Sequence, residues 1–325
     1  MSEKALSVKN LKVVFPNPAG LIRAVEGISL EIEKGKCVAL VGESGCGKSV
    51  TSLAAMKLLD RTGAVVRMDE CVLSGQDIHS LSDKEMQEIR GSKICMIFQD
   101  ALSALNPVMM IGKQLDEIFI RHNKISKKEA KAHSIQALKL VGVPDAETRY
   151  KAFPHELSGG MRQRVLIAMA FACNPDLIIA DEPTTALDVT IQAQVLRVLS
   201  DLQKSQNTAL LLITHDLSVV VHMADEIYVM YSGKIVEKAS KKELFQSPKH
   251  PYTQGLIASV SKMEDEKGEF VQIPDSLPNP IHKPEGCYFH PRCSKCMEKC
   301  KTCAPPFYTL ETGRQVRCWL YEEAV

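Results

Sequence analysis

The chain has 325 residues, enough for one large or two ordinary domains with cores of their own. Its 40 Lys+Arg nearly cancel its 39 Asp+Glu, so global charge makes no case for nucleic acid or an anionic membrane surface. No apolar stretch follows the charged opening "MSEKALSVKN", which argues against a secretory signal, and runs such as "ALLLI" fall far short of the roughly 20 apolar residues that span a bilayer. A soluble cytosolic protein is the expectation, and there clustered cysteines favour metal or redox chemistry over disulfides.

In chain order, "ALSVKNLKVVF", "GISLEI" and "CVALV" read as short strands separated by turns. From about residue 80 to 160 the texture is helical, as in "DKEMQEIRG", "IGKQLDEIFIRH" and "KKEAKAHSIQALKLVGV". Then "DLIIADEP" and "ALLLITHD" carry apolar cores of the kind found in strands buried on both faces of a parallel sheet. Strands alternating with helices imply an α/β fold with a helical insertion. Near residue 245 the composition turns proline-rich. "SPKHPYTQG" and "IPDSLPNPIHKPEGC" suggest an extended connection. A cysteine-rich segment, "GCYFHPRCSKCMEKCKTC", follows it.

Gly42 to Ser49, "GESGCGKS", fits the phosphate-loop pattern G-x-x-x-x-G-K-[ST], with an apolar strand before it and a helix-compatible stretch after it. Glycines let backbone N–H groups curl around phosphate oxygens, and the helix N-terminus adds favourable partial charge. The nucleotide-binding set is Gly42, Glu43, Ser44, Gly45, Cys46, Gly47, Lys48, Ser49 and Val50. Lys48 would reach the β- and γ-phosphates, Ser49 would ligate Mg²⁺, and Cys46 reads as a small filler. Downstream, the strand in "DLIIADEPTTALD" delivers Asp181 and Glu182 to its C-terminal end, where ligands bind in open α/β sheets. Asp181 would hold Mg²⁺, and Glu182 would be the general base for an attacking water.

Between these halves stands "LSGGMRQR". A phosphate loop, then LSGG, then a strand ending in Asp-Glu resembles the ABC-type ATPases over roughly residues 5 to 255. The resemblance implies a P-loop nucleotide-binding domain with an antiparallel β subdomain and a helical subdomain at about 95–160. It assigns Gln99 to the Q-loop, where it would also approach Mg²⁺, Asp188 to the D-loop and His215 to the catalytic switch. By the same resemblance Ser158, Gly159, Gly160 and Gln163 would form a signature that acts on the nucleotide of an opposite subunit. Phe15 is the candidate for stacking on adenine from a loop after the first strand; its alternative is a core phenylalanine.

Longer stretches, among them "FQDALSALNPVMMIGKQ" and "SPKHPYTQGL" followed by "GCYFHPRC", resemble the ATPase subunits of oligopeptide, dipeptide and nickel importers. Val50 after "GKS" resembles the D-type subunit. The implied function is that of an ATP-hydrolysing motor at the cytoplasmic face of the cell membrane, importing peptides. The implied partners are a second, F-type ATPase in a head-to-tail heterodimer, two transmembrane permease subunits and an extracellular or periplasmic binding protein. A nickel or metal-chelator importer is the alternative cargo reading. A non-transport ABC ATPase is a rival of another class, and nucleic acid is not an expected partner.

Residues 1–255 would then form the nucleotide-binding domain, and 256–325 a proline-rich connection with a small cysteine-rich appendage. Its cysteines run Cys287, Cys293, Cys296, Cys300, Cys303 and Cys318, more than the four ligands that zinc or an iron–sulfur cluster needs. Spacing leaves both the metal and the ligand set open, and the two C-x2-C pairs suggest zinc knuckles. By family resemblance the set is Cys287, Cys293, Cys300 and Cys318 around a [4Fe–4S] cluster, with Zn²⁺ as the alternative and Cys296 and Cys303 as departures from the pattern.

Overall fold

The computed structural model describes residues 3–185, 187–261, 276–311 and 313–324. In chain order the elements begin with a long hairpin, β1 (Lys4–Asn17) and β2 (Gly20–Glu33), followed by β3 (Cys37–Val41) and α1 (Lys48–Ala55). Short strands β4 (Val65–Arg67), β5 (Glu70–Leu73) and β6 (Gln76–Asp77) precede α2 (Asp83–Ile89) and β7 (Ile94–Ile97). A run of helices follows: α3 (Ala101–Ala104), α4 (Ile111–Asn123), α5 (Lys127–Leu140), α6 (Ala146–Arg149) and α7 (Gly159–Phe171). Then come β8 (Leu177–Asp181), α8 (Val189–Ser205), β9 (Ala209–Thr214), α9 (Leu217–Met223), β10 (Glu226–Tyr231), β11 (Lys234–Ser240) and α10 (Lys241–Gln246). The chain closes with α11 (Pro251–Ser261), α12 (Glu298–Thr302), β12 (Tyr308–Thr309) and β13 (Gln315–Val316).

Two compact units share these elements. The helical unit holds the chain up to Leu6, Ile32–Lys36 and Val72–Leu212. Within it β7 and β8 pair in parallel, Ile94 with Leu177 through Ile97 with Ala180, and β9 lies next to β8. Every residue of β8 and β9 is buried, as their apolar runs foretold. Helices α2 and α5 start at capping boxes, Ser82 with Glu85 and Ser126 with Glu129. The helical stretch opens at Ala101 rather than at about residue 95, because Ile94–Ile97 is a buried strand.

The phosphate-loop unit holds Ser7–Glu31, Cys37–Cys71 and Ile213–Val325. Here β3 runs parallel to β10, β10 pairs antiparallel with β11, and β13 and β12 extend that sheet. The β1–β2 hairpin, with β4 antiparallel on β1, supplies the expected antiparallel β layer. The appendage does not stand apart as a domain. Its β13 adds to β11, and its Phe289 joins Tyr231, Tyr252, Val229 and Leu244 in one buried cluster. The stretch "HPYTQG" is helical rather than extended, because Pro251 occupies the first turn of α11, where a missing N–H costs nothing. Of the expected connection, 262–275 lies outside the described residues.

Candidate nucleotide site

In the phosphate-loop unit, fully buried β3 feeds a loop whose glycines take conformations closed to other residues. Gly42, Gly45 and Gly47 have φ of 157°, 82° and 109°. A Cβ on Gly42 would lie 2.2 Å from the Met230 carbonyl, and one on Gly47 2.4 Å from that of Ala24. Lys48 Nζ, buried, donates to the carbonyls of Gly42 at 2.8 Å and Glu43 at 3.0 Å. Its ammonium thus closes the loop from inside. Ser44 and Gly45 are exposed, while Ser49 and Val50 occupy the first turn of α1, half-buried. Cys46 is buried against this arrangement. Burial pushes its thiol pKa up, the Lys48 charge opposing, which suits a filler and not a nucleophile.

Glu43, the second residue of the loop, is gripped on three sides. Its N–H donates to Tyr252 Oη at 3.0 Å, its carbonyl accepts from Lys48, and its carboxylate accepts from Arg292 Nη1 at 3.1 and 3.2 Å. Sequence reasoning missed Tyr252 and Arg292. They lie 209 and 249 residues from Glu43, and no local pattern joins them. Phe15 is not on a loop. β1 continues to Asn17 and the turn is confined to residues 18 and 19, so Phe15 is a half-buried strand residue. His215 follows β9 directly and is exposed, and Asp216 beside it caps α9 by accepting from Ser218 N at 2.8 Å.

In the helical unit, β8 ends at buried Asp181, and Glu182 follows with φ of 47°. A non-glycine residue in the left-handed region costs on the order of 1 kcal/mol and is held there only by its surroundings. Gln99 Nε2 at 2.9 Å and Thr185 Oγ1 at 3.0 Å both donate to Oε2 of Glu182. Gln99 and Glu182, assigned separately from sequence, are therefore in direct contact. Thr185 was not foreseen. The hard oxygens of Asp181 suit Mg²⁺, as does the Ser49 hydroxyl in the other unit.

The signature opens a helix, α7, at Gly159. Ser158 is the N-cap of α7, its Oγ accepting from Met161 N at 3.4 Å, and Gly159 and Gly160 form the first turn. A Cβ on Gly160 would come within 2.5 Å of Ile191, so α7 and α8 approach here because Gly160 has no side chain. Asp188 caps α8, accepting from Ile191 N at 3.0 Å. Gln163 is buried within α7, and its Nε2 has no hydrogen-bond partner among the described residues.

Buried charged groups tie the cysteine lobe to its unit. Lys283 Nζ donates to Glu26 and to the Arg23 and Ser232 carbonyls, each at 2.7 Å, and Tyr288 Oη donates to Glu26 at 2.9 Å. Arg314 pairs with fully buried Glu237, which also accepts from the N–H groups of Lys249 and His250 at 2.9 Å. Arg292 on Glu43 is a further tie. All eleven cysteines are free thiols. Cys287, Cys293, Cys300 and Cys318 line one small cavity with His290 and Trp319, whereas Cys296 and Cys303 do not. Burial pushes the Cys287 and Cys318 thiols up to about 11, with neighbouring thiols adding to the rise. Among the described residues no group of three or more His, Cys, Asp or Glu has the spacing of a metal site. The four thiols share a cavity without closing around one point.

A family model described as ABC transporter matches residues 25–185, and one described as Oligopeptide/dipeptide transporter, C-terminal region, matches residues 236–300. The chain is 49% identical over 318 residues to the oligopeptide transport ATP-binding protein AppD of Bacillus subtilis, spanning 98% of this chain and 97% of that one. To the dipeptide transport ATP-binding protein DppD of Escherichia coli it is 43% identical over 313 residues, spanning 96% and 95%. Among solved structures, the ATP-binding cassette MJ0796 in its dimeric post-hydrolysis state matches with a TM-score of 0.64 and 26% identity, over 73% of this chain and 98% of that one. No helix among the described residues is long and apolar enough to cross a membrane. With its phosphate loop, Asp-Glu strand end and signature helix in place, the chain belongs to the ATP-binding proteins of oligopeptide/dipeptide ABC transporters.

Proposed function

We propose that this chain is the ATP-hydrolysing motor subunit of a peptide importer. The observation that carries the cargo class is the C-terminal lobe, which matches the oligopeptide/dipeptide transporter region and is built into the phosphate-loop unit. Glu182, fixed by Gln99 and Thr185, would be the base that accepts a proton from the attacking water, with Lys48 and Mg²⁺ on Ser49 and Asp181 balancing phosphate charge. Gln99, held on that base, would report permease contact to it. His215 would act on the γ-phosphate, Ser158 and Gly159 on the nucleotide of the partner, and Asp188 across the same junction. Those roles need a second, F-type ATPase bound head-to-tail, two permease subunits and an external binding protein, so the chain would sit at the cytoplasmic face of the membrane. The test is co-expression with candidate permease and ATPase subunits. A peptide-uptake complex that forms and loses uptake in Glu182→Gln supports the reading; co-purification with ribosomes or DNA instead sinks it.

We also propose that the lobe holds a [4Fe–4S] cluster on Cys287, Cys293, Cys300 and Cys318, with Zn²⁺ as the alternative. The support is a soft donor set on one cavity that excludes the other two cysteines. When bound, the group would staple a segment too small for a core of its own. Anaerobic purification with visible absorbance and iron, sulfide and zinc analysis decides it. One equivalent of zinc without sulfide refutes the cluster.

A further inference from the structure

We infer that Arg292 is a positioning residue for the phosphate loop, through which the C-terminal lobe sets the affinity for nucleotide; this rests on ATP occupying that loop. The Arg292 side chain is 4% exposed, yet its guanidinium is directed at the loop's own Glu43, on both carboxylate oxygens. Another contact to Glu43 is placed by the same cluster: Tyr252, whose hydroxyl takes the Glu43 N–H, packs edge-on to Tyr231 at 4.7 Å and against Phe289 at 5.4 Å. Arg292 also reaches Tyr231 Oη at 3.4 Å. Finally, Arg292 lies on a single turn, His290–Arg292, which begins by donating from His290 N to the Cys287 carbonyl at 2.9 Å and ends by feeding Cys293. Two of the cavity cysteines thus bracket the residue that holds the loop.

The physical consequence follows from charge. A carboxylate on a loop that receives a triphosphate repels its ligand unless it is paired, and a nearly buried guanidinium pairs it at short range. Removing the guanidinium leaves the carboxylate unbalanced and loosens the loop's hold on the lobe, leaving the Tyr252 contact. Lys48, by contrast, acts on the phosphates directly, so the two residues are expected to fail differently.

The experiment measures Mg-ATP binding to the full chain by displacement of a trinitrophenyl-ATP, and ATPase kinetics in the assembled complex. Arg292→Ala is expected to weaken binding about tenfold, raising KM while kcat stays within about twofold. Arg292→Lys, which keeps the charge, recovers most of that loss. Adding Glu43→Gln to Arg292→Ala recovers part of it as well, because an amide does not repel the triphosphate. If Arg292→Ala loosens the lobe, Arg292→Gln keeps the side-chain bulk and should show the same loss. An unchanged Kd in Arg292→Ala and Arg292→Gln, with binding abolished in Lys48→Ala, overturns the inference and leaves the nucleotide reading standing. Losses that simply add in the double variant overturn it too. Failure of the unsubstituted chain to bind Mg-ATP overturns both.

Discussion

The strands that carry the nucleotide motifs and the lobe that carries the cysteines hold their shape by different means. β3, β8 and β9 are buried along their whole length, and their residues are almost all aliphatic. Burying each such side chain contributes about 1.5–3 kcal/mol, without direction and with tolerance for similar shapes. The lobe offers few large apolar groups to bury, chiefly Phe289 and Val316. It is tied down instead by Lys283, Arg292 and Arg314, each with 3–4% of its side chain exposed and each on a carboxylate of its unit. Such pairs are poor sources of net stability but costly to break on one side. The core should therefore absorb conservative changes, while the lobe should fail at single named residues.

The largest effect should come from the site and leave stability alone. Glu182→Gln keeps the shape of the side chain and can still accept from Gln99 and Thr185, but it cannot take a proton. Hydrolysis should fall roughly 10²- to 10⁴-fold with nucleotide Kd nearly unchanged, measured as ATPase rate and binding in parallel. A comparable loss of binding would mean that the left-handed turn at Glu182 had been disturbed instead of the chemistry.

Next comes Glu237, the buried acid on β11 that meets Arg314 of the lobe. Glu237→Ala removes the acceptor for Arg314 and for two backbone N–H groups, and should cost about 3–5 kcal/mol in urea unfolding. Replacing both partners, Glu237→Leu with Arg314→Met, should not restore stability, because the N–H groups of Lys249 and His250 lose their acceptor all the same. Full recovery in the double variant would show a simple ion pair and weaken the contrast between core and lobe. Lys283→Met should cost less, about 1–3 kcal/mol, because Glu26 retains the Tyr288 hydroxyl and is 20% exposed.

How much of this was legible beforehand follows the same division. The phosphate-loop turn, the strand ending at Asp181 and the helix after Ser158 could be read because each is a short pattern of residues that are neighbours in sequence. Buried strands showed as apolar runs for the same reason. The family resemblance put Phe15 on a loop after the first strand, yet β1 runs on to Asn17. The proline at 251 looked like a breaker and proved to be a helix start. Tyr252, Arg292 and the Glu237–Arg314 pair could not be read at all: their partners are distant in sequence, and a lone Arg or Tyr carries no signal of where it will be buried.

The smallest effects separate the cysteines from one another. Cys303 is exposed and Cys296 is half-exposed off the cavity, so Cys303→Ser and Cys296→Ser should change unfolding free energy by less than about 0.5 kcal/mol. Cys287→Ser, Cys293→Ser, Cys300→Ser and Cys318→Ser place a hydroxyl where thiols share one cavity. If the lobe holds the proposed metal, each should lose it, read directly by metal analysis. The raised pKa of Cys287 and Cys318 gives this a sign with pH. Ligands must be deprotonated, so loading releases protons, and apparent metal affinity should strengthen as pH rises through neutrality toward about 11. Equal metal loss from all six substitutions would mean that the cavity does not select the ligands, and that the lobe's order comes from its charged ties alone.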